Sequence, residues 1–375
     1  MNEYDSRDHL RPRVAVLKTN PENALEDFRE LMHLADYEKF LPKDKDTALK
    51  INVSWHHFYP ACSTTPWQLE GVIKTLLADD YKKELLHACN NRTVVVSAKK
   101  GEIANKHKLV IEKYGLRNVH LYENEEWVTY EPKGKMLVLP EIFPDGVKIP
   151  KRMMEENIIH LPTMKTHVFT TMTGAIKNAF GGLLHEKRHW THSVIHETLV
   201  DLLTIQKEIH SGIFAVMDGT IAGNGPGPRC MVPHVKNYIL AGGDQVAIDA
   251  VAAKMMGFDP MSIKFIRLAH EAGLGCGDLR EIEIVGEDVS KVNFGFSANE
   301  NTLASRGQKL IYWGPIKPLE KLLLRTIVTP WSYLASIAYH DWYWYPFVGK
   351  KRVEAMLSTQ WGELFEQYRS KSIKV

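Results

Sequence analysis

Cysteine is scarce in this chain. Cys62, Cys89, Cys230 and Cys276 are the only four among 375 residues, and no two form a Cys-x-x-Cys pair. Neither a zinc ribbon nor a ferredoxin-type motif is present, so an iron–sulfur cluster is not expected. The N-terminus, Met1–Asp8, is polar and carries no apolar leader, and scattered cysteines suit a reducing compartment; cytoplasmic placement is the expectation. Long apolar runs are lacking too. None reaches the roughly 18 residues a spanning helix needs. Charge of one sign is also lacking: Lys and Arg number 47 against 45 Asp and Glu, a net charge of +2. That gives no electrostatic case for a nucleic-acid partner. There is no internal repeat and no low-complexity linker.

What remains is an ordinary globular composition, 44% hydrophobic and 25% charged, long enough for two lobes. Short β-branched runs alternate with helical patterns. Arg13–Lys18 reads as a strand, 21–38 as an amphipathic helix and Ala48–Ser54 as a second strand. Thr65-Pro66-Trp67-Gln68 starts a helix that runs to about Leu77, with Thr65 at the N-cap, Pro66 at the first helical position and Gln68 closing a capping box. Further strands are read at Thr93–Ser97, Val119–Tyr122, Met136–Leu139, Ile158–Leu161, Ile213–Met217, Asn237–Ala241 and Ile282–Val285, and helices near 103–114, 194–209, 245–256 and 261–272. This rhythm predicts an α/β fold of two Rossmann-like lobes with mostly parallel sheets: residues 1–150, then 151–300 carrying the chemistry-rich motifs. Residues 301–375 predict a helical extension rich in Trp and Tyr. It reads either as a cap on the core or as helices that meet a membrane surface or a partner protein through residues 317–352, where Lys317, Lys321, Arg325, Lys350, Lys351 and Arg352 lie.

The densest chemistry is Leu161–Gly182. Lys165, Thr166, His167, Thr170, Thr171, Thr173, Lys177 and Asn178 follow the strand that ends at Leu161. Cations, hydroxyls and an imidazole just past a strand end suit anion binding or proton transfer. His167 is the candidate acid or base, and Lys165 and Lys177 the candidate anion holders. His185, His189, His192 and His196 follow at spacings that share one helix face. Three readings stand for them: a divalent-metal site built from His185, His189 and His192, an anion site with Lys187 and Arg188, or a solvated helix. Asp218 ends a strand and opens a glycine- and proline-rich loop to Pro228, with Asn224 and Gly225 in a rigid turn. It reads as a catalytic carboxylate or as a structural Asx turn. Asp244 is either a ligand group or the N-cap of the helix at 245–256. Asp249, on a small apolar helix, needs a partner, with Lys177 or Lys165 the candidate. His56 and His57 either face the same crevice or pack among aromatics.

Leu161–Gly182 resembles the signature of the DUF362 family. Val216–Pro228, with its Asp218-Gly219 and Gly223-Asn224-Gly225-Pro226, resembles that family's glycine-rich loop, and Leu240–Ala253 its following helix. With the segment at 48–77, the resemblance covers roughly residues 45–290. Many family members also carry a ferredoxin-type cluster domain, whose cysteines are missing here. A more distant similarity is to the lactate racemase family, where a histidine serves proton transfer and a lysine ten residues on anchors a nickel-pincer nucleotide. His167, Lys177 and the later His192 match that order; where the family has an earlier histidine, Val96–Gly101 holds none. What carries over is shared architecture.

The expectation is an enzyme using acid/base chemistry, of racemase, isomerase or lyase type, on a small anionic molecule between the lobes. His167, Lys177 and Asp218 would be catalytic. Lys165, Thr166, Thr170, Thr173, Asn178, Asn224, Gly225, Asp244 and Asp249 would surround the substrate, with a divalent metal on His185, His189 and His192 as the candidate cofactor. The rival expectation is a non-catalytic protein that binds a ligand, a membrane surface or a partner through its aromatic C-terminal region.

Overall fold

A computed structural model describes residues 11–327 and 329–370. Its strands are β1 (Arg13–Lys18), β2 (Thr47–Ile51), β3 (Leu86–Asn90), β4 (Arg117–His120), β5 (Trp127–Tyr130), β6 (Val147–Pro150), β7 (Asn157–Leu161), β8 (Thr163–His167), β9 (Thr171–Met172), β10 (Gly212–Asn224), β11 (Val232–Gly242) and β12 (Glu283–Gly286). β5 and β6 form a separate hairpin. The others make one sheet in the order β12-β1-β11-β10-β7-β2-β3-β4, with β8 and β9 attached beside β10. Pairing from β10 through β4 is parallel, while β11 runs antiparallel to both β1 and β10. The mostly parallel α/β core and the helical C-terminal region are as the sequence predicts. Strands from before and after residue 150 interleave, because β1 lies between β12 and β11 and β2 pairs with β7; the segments expected as two lobes share one sheet.

β2, β3 and β7 are buried at every residue, as strands covered on both faces must be. Their side chains alternate between two cores. Ala48 and Ile158 point to one and Leu49 and Ile159 to the other, the period of two that a pleated strand imposes. Helices α1 (Ala24–Leu34) and α2 (Pro66–Ala78) cover the second face. The short α3 (Ala175–Asn178), α4 (Ile195–Ile209) and α5 (Gln245–Met256) cover the first. α2 begins as its sequence dictates: Gln68 N–H donates to Thr65 Oγ1, and Thr65 N–H donates to Gln68 Oε1.

Two expected strands are corrected. Thr93–Ser97 is a turn closed by a single Thr93–Val96 bridge, and the sheet takes Leu86–Asn90 instead. Residues 136–138 form a loop, with α-helical turns beginning at Leu139. The amides of Leu137, Val138 and Leu139 donate to the Asp201 carboxylate at 2.6, 2.9 and 2.9 Å, so these donors need no neighbouring strand.

The C-terminal region follows as α6 (Leu303–Tyr312), α7 (Glu320–Arg325), α8 (Pro330–Ile337), a π-helical stretch Ala338–Gly349, α9 (Lys350–Leu357) and α10 (Gln360–Ser370). From 338 onward it caps the core. Trp55 Nε1 donates to Asp341 at 2.6 Å, His57 stacks on Tyr345 at 4.2 Å, and Trp361 packs on Trp67 at 4.9 Å. His56 and His57 thus pack among aromatics. Among the described residues no helix is long and apolar enough to cross a membrane.

Candidate functional site

β2, β3 and β4 succeed one another to one side of the sheet, and β7, the next to join, returns to the other side of β2. The gap where such strand order reverses is where open α/β sheets bind ligands, outside the carboxyl ends of the strands. A cavity of about 680 Å³ lies there. Lys50, Asn52 and Ser54 reach it from the end of β2, Asn90 and Asn91 from β3, and Thr163, Lys165 and His167 from the continuation of β7. α6, α7 and α8 supply the opposite wall.

The motif after Leu161 is folded around this cavity by three local devices. Pro162 interrupts the strand, and β8 then runs beside the second half of β10, pairing Thr163 with Asp218 and Lys165 with Gly223. β9 turns back on β8, pairing His167 with Thr171. Gly174 then adopts φ +142°, and a Cβ there would collide with the Asp249 carboxylate, so only glycine fits. Asp249 in turn accepts from the amides of Ala175 and Ile176 at 2.6 and 3.1 Å and anchors the start of α3. The result brings Lys177 Nζ to 3.2 Å from His167 Nε2.

The protonation of this pair follows from its neighbours. Phe169 N–H donates to His167 Nδ1 at 3.2 Å. A neutral imidazole whose Nδ1 accepts must carry its proton on Nε2, and that proton faces Lys177. It can be donated to Nζ only when the amine is unprotonated. Burial, reinforced by Lys165 and Arg188, pushes Lys177 down to about 7; burial and then Lys177 hold His167 well below its ordinary value. The pair is a neutral imidazole against an amine that gains and loses its proton near neutral pH.

The surroundings are cationic. Burial lowers Lys50 and Lys165 to about 8. Lys165 Nζ donates to the Cys62 carbonyl and to Ser54 Oγ, and Lys50 Nζ to the Ile51 carbonyl at 2.6 Å. Arg188 donates to the Arg92 and His185 carbonyls at 2.5 and 3.2 Å. Arg229 has no hydrogen-bond partner among the described residues, and the buried Thr163 hydroxyl has none either. Among the described residues no Asp or Glu lines the cavity. Such a set of positive groups with low-dielectric walls concentrates anions.

The other candidates divide. Thr173 and Asn178 line the cavity, donating to the Thr163 and Lys50 carbonyls at 3.1 and 2.8 Å. Thr166 and Thr170 are buried and tie backbone together, donating to the Gly225 and Met172 carbonyls at 2.7 Å each. Asp218 is placed elsewhere. It accepts from Thr65 Oγ1, from Trp67 Nε1 at 3.1 Å and from Thr220 N–H at 2.7 Å, which pins α2 to β10. Asp244 caps α5, accepting from Val246 and Ala247 amides at 2.8 and 3.0 Å. Asn224 accepts from Ser297 N–H at 2.8 Å, and Gly225 shapes its turn at φ +102°. Neither touches the cavity; the loop beyond them, Pro226–Arg229, does. Asp249 supports Lys177 through the backbone of α3 and makes no ion pair with it.

The histidine run is wound as a 3₁₀ helix over Glu186–Val194. At three residues per turn only His189 and His192 share a face, and these two line the cavity. His192 stacks on Tyr312, and burial holds it at about 3. His185 packs edge-on against Trp127 and Phe143. Among the described residues the one group of three metal-ligating side chains with ligand atoms within 4.8 Å of one another is His56, His57 and Asp341; it does not include His185, His189 or His192. Sequence reasoning missed Lys50 and Arg229. Lys50 left a signal, a charged residue inside an apolar strand.

Fold and site together define an α/β protein with a cationic cavity at the switch point of its sheet. Residues 47–254, more than half of the chain, match the domain of unknown function DUF362, and the chain belongs to that family. All five cations of the cavity lie in the matched segment, and the helical wall lies outside it. A thylakoid-associated protein of Synechocystis sp. is 26% identical over 132 residues, 34% of this chain and 41% of that relative; the match spans less than half of the relative's length. The lactate racemase similarity is not shown by these comparisons.

Proposed function

We propose that this chain is an enzyme that binds an anionic substrate in the cavity and moves a proton through Lys177 and His167. The observation that carries it is the Lys177–His167 contact with the Phe169 amide on the far ring nitrogen. A lysine kept as a free amine near neutral pH is a base and a nucleophile, which an ordinary lysine is not. Lys50, Lys165, Arg188 and Arg229 would meet the substrate's charge and stabilise negative charge developing beside it. Proton abstraction next to a carboxylate or similar group, as in racemases, isomerases and lyases, is the chemistry this set serves. The nickel-pincer cofactor of the distant resemblance calls for an earlier histidine that Val96–Gly101 lacks, and no step is built on it.

The test is competitive acetylation of the whole protein near neutral pH, read lysine by lysine by peptide mass spectrometry. An amine with a pKa of about 7 is about half free there, whereas an unperturbed lysine is free to about one part in a thousand. Lys177 should label faster than exposed Lys351, and inorganic phosphate should slow it. His167→Asn should fold and weaken that protection. Equal labelling of Lys177 and Lys351 would sink the proposal.

A further inference from the structure

The two walls of the cavity differ in kind. The wall on the sheet side carries Lys50, Lys165, Lys177, Arg188 and Arg229, while α6–α8 contribute Leu303, Leu310, Ile311, Leu323, Leu324 and Trp331. A volume of about 680 Å³ is that of a site for a sizeable organic ligand, far more than an inorganic anion fills. The apolar wall also continues to the outside. Leu310 and Trp331 line the cavity and are 46% and 43% exposed. Of the 17 large hydrophobic side chains exposed among the described residues, 11 fall between Leu303 and Phe347, which marks that surface as a contact face. Its free charge has one sign: Arg306, Lys309, Lys317, Lys321 and Arg325 accompany two carboxylates, both engaged inside the protein, Glu320 bridged to Arg325 at 3.3 Å and Asp341 accepting from Trp55 Nε1 at 2.6 Å.

We infer that the ligand of this cavity is an anionic amphiphile, a phosphate or carboxylate head on the cations with a hydrocarbon body along α6–α8, and that it enters from a negatively charged lipid surface on which α7 and α8 rest. The inference rests on the anion reading of the cationic wall and adds what the opposite wall is for. Basic, aromatic-rich helices with exposed leucines bind anionic bilayers in this way. A ligand leaving such a surface past Leu310 and Trp331 keeps its chain out of water throughout.

The full chain is titrated with dodecyl phosphate below its micelle concentration, with inorganic phosphate and with dodecyl maltoside, following tryptophan fluorescence. Dodecyl phosphate should bind at least about tenfold more tightly than inorganic phosphate, since burying two methylenes suffices for that factor, and dodecyl maltoside should bind more weakly than dodecyl phosphate. Leu324→Asp should lose the advantage of the chain and keep phosphate binding. In flotation assays the protein should rise with vesicles of phosphatidylcholine and phosphatidylglycerol and not with phosphatidylcholine alone. Leu322→Ser with Leu334→Ser, which lie outside the cavity, should abolish flotation and spare dodecyl phosphate binding. Equal affinity for the two phosphates in the wild-type protein overturns the amphiphile and leaves the anion reading standing. No binding of either removes both. Tight dodecyl phosphate binding without flotation overturns entry from a lipid surface.

Discussion

Replacing Lys177 with Met should make the protein more stable and useless. Burial moves this amine from 10.5 to about 7, and each pKa unit corresponds to about 1.4 kcal/mol. Full desolvation would make the charged amine cost about 5 kcal/mol in the folded state. Lys177 is only half-buried and opens onto the cavity, so roughly half of that is realistic. Loss of its contact with the Phe180 ring, 5.7 Å away, removes about 0.5 kcal/mol in the other direction. A net gain of about 2 kcal/mol remains. The sign depends on pH. Below about 7 the amine is protonated both folded and unfolded, and the folded state bears the whole cost. As pH rises from there toward 10.5 the folded state has already lost its proton and the cost fades. Urea unfolding should therefore show Lys177→Met ahead by the largest margin near about pH 6 and level with the wild type near about pH 10. A margin independent of pH, or a variant less stable at the acid end, would refute a desolvated amine. A residue whose loss stabilises the fold is retained for something other than folding.

Three further outcomes follow from the same geometry. Inorganic phosphate should raise Tm more near pH 6 than near pH 9, because Lys50, Lys165 and Lys177, at about 8, 8 and 7, are charged at the lower value and mostly neutral at the higher; scanning calorimetry reads it, and a Tm shift growing with pH contradicts it. Asp218→Asn should cost about 2 kcal/mol in chemical denaturation, since the amide cannot accept from Thr65, Trp67 and Thr220 together, yet it should leave phosphate binding intact. A stable variant that no longer binds phosphate would return Asp218 to the site. Gly174→Ala should destabilise by about 2 kcal/mol or more, through positive φ and the collision with Asp249. Denaturation like the wild type's would show that α3 is not held as described.

Much of this was legible in the sequence, and the failures share a cause. β1, α2 with its Thr65 cap and α5 after Asp244 fall where local chemistry puts them. β3, Leu-His-Ala-Cys-Asn, has little β-forming character and becomes a strand because β2 and β4 flank it in the core. Thr93–Ser97 has that character and lacks flanking strands. His167 and Lys177 were visible from their spacing because a hairpin and one glycine turn close the distance locally. Asp244 stands at a helix start, as the sequence predicts, whereas Asp218, expected at a strand end, lies in the middle of β10 because that strand runs on to Asn224, and Asp249 lies inside α5. All three are spent on backbone, hydroxyl and indole donors, and a carboxylate's place in the sequence cannot distinguish such uses from holding a ligand. Arg229 and α6–α8 come from distant parts of the chain, and the helical, aromatic-rich character legible at 301–375 does not tell that these helices wall the cavity.

The place of β1 in the sheet has a consequence for how the chain is made. Its two neighbours are β11 and β12, so a strand completed at Lys18 has no partner until Gly242 emerges and lacks its second until Gly286. At roughly 5–20 residues per second, an apolar segment leaves the ribosome and waits for tens of seconds. β2 likewise gains β3 early and β7 only after Leu161. The sheet closes from its middle outward, and β1 is seated long after it is synthesised. A nascent chain stalled before Gly242 would present β1 to whatever chaperone or aggregate reaches it first.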